Sequence, residues 1–261
     1  MSADSQLVAL LRRPPAAVAG EVSAQIEDGP IDPRQALDVA DVAGLLDANS
    51  ALPETGWCLL PDGSAYTAVR TLMPGVSGQM LDWWFEWHAL DPLRYRIWYP
   101  QAHFDNRLEP PKAPRAKPYW GAVHHPIEDI GLGRQHLRIA FCDPTDFGFP
   151  AHALSHPDVA TIVCGRVGDD RRRAWHTRMC HFARRHPQGL ELRSRFWIGA
   201  DLRLYMRAAP AGAINRLLRA PAMRRRLIPR RAPLAMARHC AAEYASLAAL
   251  LPELYARYGA D

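Results

Sequence analysis

The stretch RHCAAEYASLAALLPELYARYG, residues 238–259, decides the reading of this chain. Its apolar residues recur at helical spacing, and it opens with a histidine and a glutamate four positions apart, His239 and Glu243. Residues four apart in an α-helix lie one above the other, so both project from one face. Continued along the helix, that face carries Leu247 and Leu250 and is therefore the buried one. An imidazole and a carboxylate on a buried face need a partner or a metal, because either group alone costs several kcal/mol out of water. On spacing alone, a His/Glu pair satisfying itself is the simpler reading.

Working outward, the last helix is expected over 234–258, entered after Pro229 and Pro233 and carrying Pro252 as a kink point. Upstream, LRIAFCDP (137–144), ATIVCGRV (160–167), AWHTRMCHFARRH (174–186) and GLELRSRFWIG (189–199) have strand texture, with HPQG as a hairpin turn. WCLLPDGSAYTAVRTLMPG (57–75) reads as two strands around an Asp-Gly turn. VSGQMLDWWFEWHAL (76–90) reads as an amphipathic helix capped by Ser77, with Trp83, Trp84 and Trp87 used for packing. PLRYRIWYP (92–100), rich in aromatic residues, reads as a strand with Trp98 likewise in packing, and the proline-rich 107–120 as a long loop. A helical region is expected over 203–227, and IDPRQALDVADVAGLLD (31–47) as a single helix. The sum is an α+β chain: a helical N-terminal extension over 1–55, then a domain over 56–261 whose antiparallel sheet wraps the long C-terminal helix and leaves a cavity between them.

Composition narrows the function classes. No run of apolar residues is long enough to span a bilayer, and the N-terminal stretch lacks the pattern of a secretory signal, so a cytoplasmic enzyme is expected. Five cysteines, Cys58, Cys142, Cys164, Cys180 and Cys240, are odd in number and irregularly spaced, which fits reduced buried thiols rather than a disulfide framework. The net charge of +5 gathers in Arg171–Arg173 and in MRRRLIPRR (223–231), without stacking aromatics interleaved. These bunches read as solvated faces, and neither nucleic acid nor membrane is an expected partner.

Two further segments supply polar side chains that could meet the helix pair. YRIWYPQAHFDN (95–106) holds Tyr95, His103 and Asn106, and AVHHPIEDIG (122–131) holds His124, His125, Glu128 and Asp129. Two imidazoles with two carboxylates suit a divalent transition metal, most often zinc. His88 is the alternative to His103 in such a set, and Asp129 the alternative to Glu128.

MPGVSGQMLDWWFEWH (73–88), then PLRYRIWYPQAHFDN (92–106), then the terminal helix, together resemble the 2,4-diacetylphloroglucinol hydrolase and phloretin hydrolase family. The similarity runs from about Leu59 to the C-terminus. It implies a helix-grip, Bet v 1-like fold, a homodimer, and a zinc-dependent hydrolase cleaving the carbon-carbon bond between an acyl group and a phloroglucinol-type ring. It implies zinc on His103, Glu128, His239 and Glu243, substrate oxygens held by Tyr95 and Asn106, and His181 as a further catalytic histidine. The chain departs from the family pattern where a substrate-binding tyrosine is expected, carrying Phe196 and Trp197 instead, and in a shorter loop between His103 and Glu128. The alternatives are a non-catalytic helix-grip carrier of aromatic or polyketide ligands, separated by a metal assay, and a polyketide cyclase using the same pocket.

Overall fold

The computed structural model describes residues 3–205 and 211–259. Among them are eight α-helices: α1 (Ala3–Leu10), α2 (Gly20–Glu27), α3 (Gly78–Trp87), α4 (Pro92–Trp98), α5 (Pro144–Phe147), α6 (Ala211–Leu218), α7 (Pro221–Leu227) and α8 (Ala232–Tyr258). The strands are β1 (Gly56–Leu59), β2 (Ala65–Pro74), β3 (His103–Asp105), β4 (Leu108–Glu109), β5 (Val123–His124), β6 (Ile127–Glu128), β7 (Gln135–Cys142), β8 (Val159–Asp169), β9 (Ala174–His186) and β10 (Gly189–Leu204). They form one open antiparallel ten-stranded sheet in the order β1-β2-β10-β9-β8-β7-β5-β4, with β6 also on β7 and β3 on β6. The β9–β10 hairpin turns at Gly189, whose φ of 146° and close approach to the Met73 carbonyl leave no room for a side chain.

The short strands matter more than their lengths suggest. β5 and β6 pair with β7 in one continuous register, His124 opposite Ile139 and Glu128 opposite Gln135, so residues 123–128 run extended along its edge. Outside them, β3 and β4 add a second, shorter run in which His103 stands opposite Glu128 and Leu108 opposite His124. This ribbon carries half of the candidate site.

α8 is built from alanine and leucine, good helix formers, and runs unbroken through Pro252. Its Ala237, Cys240, Tyr244, Leu247, Leu251 and Leu254 are each 2% exposed or less and face the sheet together with α3 and α4. Each such leucine contributes ~1.5–3 kcal/mol by leaving water. A second apolar cluster covers the sheet's other face, where Leu37, Val42 and Leu45 meet Tyr66, Phe147, Phe182 and Trp197.

Three expectations are corrected. Residues 92–98 are the helix α4, not a strand: the Asp91 carboxylate accepts from the Leu93 N–H (2.7 Å) and Pro92 occupies the first turn, an entry signal that outweighs aromatic content. Residues 31–47 are two short 3₁₀ segments, Pro33–Gln35 and Val39–Leu46, because Asp32 and Asp38 each cap a separate start. The region 203–227 begins as the end of β10, and only α6 and α7 are helical; residues 206–210 lie outside the described residues.

The cap at α4 gives a test. Asp91→Ala should destabilise the protein by about 1 kcal/mol in urea unfolding, the usual worth of an N-cap; an unchanged midpoint would mean that the cap does not hold this helix.

Candidate active site

Four elements converge where α8 crosses the β3–β6 ribbon. His239 and Glu243 lie one turn apart on α8, and both are buried, with His239 Nε2 3.6 Å from Glu243 Oε2. Across from them His103 Nε2 lies 3.4 Å from the same Glu243 oxygen and 4.0 Å from Glu128 Oε2. His103, Glu128 and His239 each present one ligand atom within 4.8 Å of the others. The pairing of His103 with Glu128 follows from strand register, and the pairing of His239 with Glu243 from the helix repeat.

α4 fastens the two pairs together. The Tyr95 hydroxyl donates to Glu128 Oε2 (2.6 Å), and its ring stacks on His103 with centroids 4.2 Å apart and planes within 5°. His103 Nδ1 lies 3.4 Å from the Tyr95 carbonyl, which turns Nε2 toward the carboxylates. One turn on, Trp98 Nε1 donates to the backbone oxygen of Glu243 (2.8 Å), and the Ser246 hydroxyl donates to the Trp98 carbonyl (2.7 Å).

The electrostatics couple the two helix residues to each other. Burial opposes ionisation of Glu243, but His239 and His103 outweigh it and hold the carboxyl down at about 2. Burial likewise opposes charge on His239, yet Glu243, with Glu128 and Asp129, raises its pKa above the usual imidazole value. His103 Nε2 is buried with no hydrogen-bond partner. His103, Glu128 and His239 thus form a buried group that could hold a divalent metal, with Glu243 against both imidazoles. Asp129 is turned away: its Oδ1 accepts from the N–H groups of Gly131, Leu132 and Gly133 and closes a loop.

Beside this cluster lies a cavity of about 630 Å³. Tyr95, Asn106, His181 and Phe196 all line it, as do Glu128, His239 and Glu243. Burial, then Glu128, pushes the Tyr95 phenol well above 10, so it stays protonated. Both amide atoms of the Asn106 side chain are buried without a partner. His181 bonds Ser194 Oγ through Nδ1 (2.8 Å), and burial holds its pKa at about 4, which makes it a neutral imidazole at neutral pH. Trp197 does not reach the cavity. The pleat of β10 turns alternate residues to opposite faces, so Phe196 points in while Trp197 points out and donates its Nε1–H to the Leu37 carbonyl (2.7 Å).

Two further residues line the cavity: His88, the alternative to His103 as a ligand, and Tyr244, which went unassigned on sequence grounds. His88 lies on the wall with Nδ1 on the Trp84 carbonyl (2.5 Å), away from the ligand cluster, and burial lowers its pKa to about 3. Tyr244 presses on the His181 ring at 4.8 Å. The signal for Tyr244 was its place beside Glu243 on the buried helix face. Where β8, β10, α6 and α7 line it, the cavity is mainly apolar, with Val167, Ile198, Leu202, Leu218, Leu227 and Ile228, and it also carries Asp169, Arg172 and Arg226.

Comparison with known proteins identifies the chain's relatives. Phloretin hydrolase of Eubacterium ramulus is 32% identical over 252 residues, covering 92% of this chain and 86% of that protein. The 2,4-diacetylphloroglucinol hydrolases of Pseudomonas protegens and of a Pseudomonas species are each 28% identical over 244 residues, covering 90% of this chain and 79% and 82% of theirs. Residues 37–256, which contain every residue of the cluster, match the family described as the DAPG hydrolase PhiG domain, and the chain belongs to that family.

Proposed function

We propose that this chain is a zinc-dependent hydrolase that cleaves the carbon-carbon bond between an acyl group and a phloroglucinol-type ring, releasing a carboxylic acid. The observation that carries the reading is the buried convergence of His103, Glu128, His239 and Glu243 beside a cavity of small-molecule size, in a family whose named members act on phloretin and 2,4-diacetylphloroglucinol. These four residues would hold the metal, which when bound lowers the pKa of water toward neutrality and polarises a carbonyl oxygen.

The chain's own groups then have defined tasks. The ring carbon that bears the acyl group takes a proton and becomes tetrahedral while a ring hydroxyl gives one up and becomes a carbonyl, so that ring and acyl carbonyl form a β-diketone. Water adds to the acyl carbonyl carbon. The bond to the ring carbon breaks, its electron pair passes into the ring as an enolate, and a ring oxygen takes up a proton. His181, neutral and facing the cavity, and Tyr95, a protonated phenol, are placed to move these protons. Asn106, with both amide atoms unmet, is placed to orient the acyl oxygen, and Phe196 gives the ring an apolar wall. The enclosure by α3, α4 and α8 keeps bulk water away from the enolate.

We read the sheet around α8 as a helix-grip, Bet v 1-like arrangement, with residues 1–55 an extension on the catalytic unit 56–261. Five free cysteines fit a reducing, cytoplasmic setting. A homodimer is the state that the family resemblance implies.

Tests follow from the separate roles. His239→Ala and Glu243→Ala should each lose bound zinc and turnover while remaining folded; stoichiometric metal in both variants would end the metal assignment. Tyr95→Phe removes the hydrogen bond to Glu128 and should weaken zinc affinity ~10–100-fold in a chelator competition. His181→Ala should keep one zinc per chain and lose ~10²–10⁴ in kcat. The apolar end of the cavity should favour long acyl arms: across acetyl to octanoyl phloroglucinols, kcat/KM should rise about fourfold per methylene before levelling. A flat or falling series would place the arm outside that end.

A further inference from the structure

The polar wall of the cavity extends past the residues used above. Because residues 123–128 form one extended run against β7, side chains two apart share a face, and His124, Pro126 and Glu128 line the cavity in succession. Asn106 lies level with Pro126: Leu108 pairs with His124, and the His125 N–H donates to the Arg107 carbonyl (2.8 Å), which continues the same register. Moving along this wall from Glu128, a ligand meets a carboxylate, then the Asn106 amide, then the His124 imidazole, about 13 Å from Glu128 along the strand.

His124 is 3% exposed, and its Nε2 is buried with no hydrogen-bond partner. Its ring is held edge-on between His88 (centroids 5.3 Å) and Phe141 (4.7 Å), so it cannot swing away to find water. A buried polar nitrogen left unmet is costly unless the ligand supplies the missing group. A phenolic hydroxyl is such a group, able to donate to a lone pair or accept from an N–H. A ring whose acyl group lies at the Glu128 end, as the proposed hydrolase reading requires, directs its opposite hydroxyl toward His124.

We propose that His124 is a specificity-determining residue that hydrogen-bonds the ring hydroxyl opposite the acyl group, so that the site selects 2,4,6-trihydroxyphenyl ketones over 2,6-dihydroxyphenyl ketones. This rests on the hydrolase reading for the orientation of the ring. It adds a contact that neither the metal cluster nor His181 supplies.

The test compares kcat/KM of the zinc-loaded full-length enzyme for the two ketones carrying the same acyl arm. Wild type should prefer the trihydroxy substrate by about tenfold to a hundredfold, the effect of leaving one buried polar group unmet. His124→Phe, which keeps the volume and the contact with Phe141, should bring the two substrates to near parity with zinc content unchanged, and His124→Gln should restore part of the preference. Near parity in wild type, or an undiminished preference in a folded His124→Phe enzyme, overturns the proposal. A calorimetric arm separates this from failure of the hydrolase reading: wild type should bind phloroglucinol more tightly than resorcinol, and His124→Phe should not. If neither ketone is cleaved, the hydrolase reading falls and the calorimetry alone decides the role of His124, with equal binding in wild type counting against it.

Discussion

Two carboxylates, Glu128 and Glu243, are held out of water within 4.0 Å of imidazole nitrogens at the seam between the sheet and its last helix. Burial of that much negative charge is unfavourable unless positive charge and fixed hydrogen bonds compensate. Much of the surrounding structure is arranged to provide that compensation. α4 is the strut: Tyr95 fixes Glu128 and braces His103, while Trp98 fixes the backbone at Glu243 and receives Ser246. Without this short helix the strand-borne and helix-borne pairs would have no common support.

The same geometry gives the cavity its two characters. On the cavity wall the imidazoles of His88, His124 and His181 are kept neutral by burial, so they can exchange hydrogen bonds with phenols without carrying charge. Elsewhere the lining turns to Val167, Leu202 and Ile228, which ask only for apolar surface. An acylated polyphenol has this same division, a hydroxylated ring joined to a carbon arm.

The terminal helix and the long strands were legible in the sequence because their signals are local: helical spacing of leucines in α8, and runs of β-branched and aromatic residues bounded by turn residues in β8 to β10. The placement of His239 beside Glu243 was legible for the same reason. α4 was misread because Tyr95, Ile97 and Trp98 carry strand texture, and Asp91-Pro92 was the stronger cue. Trp197 was placed in the pocket because a one-residue step along a strand changes faces, and register is not written in a single strand. The unmet nitrogen of His124 depends on which residues stand opposite β5, a long-range fact that spacing within AVHHPIEDIG does not contain.

The most direct test of the account is a crystal of the zinc-loaded protein measured above and below the zinc absorption edge. The account requires one anomalous peak per chain, bounded by His103 Nε2, His239 and the carboxylates of Glu128 and Glu243. A fully loaded protein whose peak lies elsewhere, or a protein that turns over substrate with no peak between these four side chains, would contradict it.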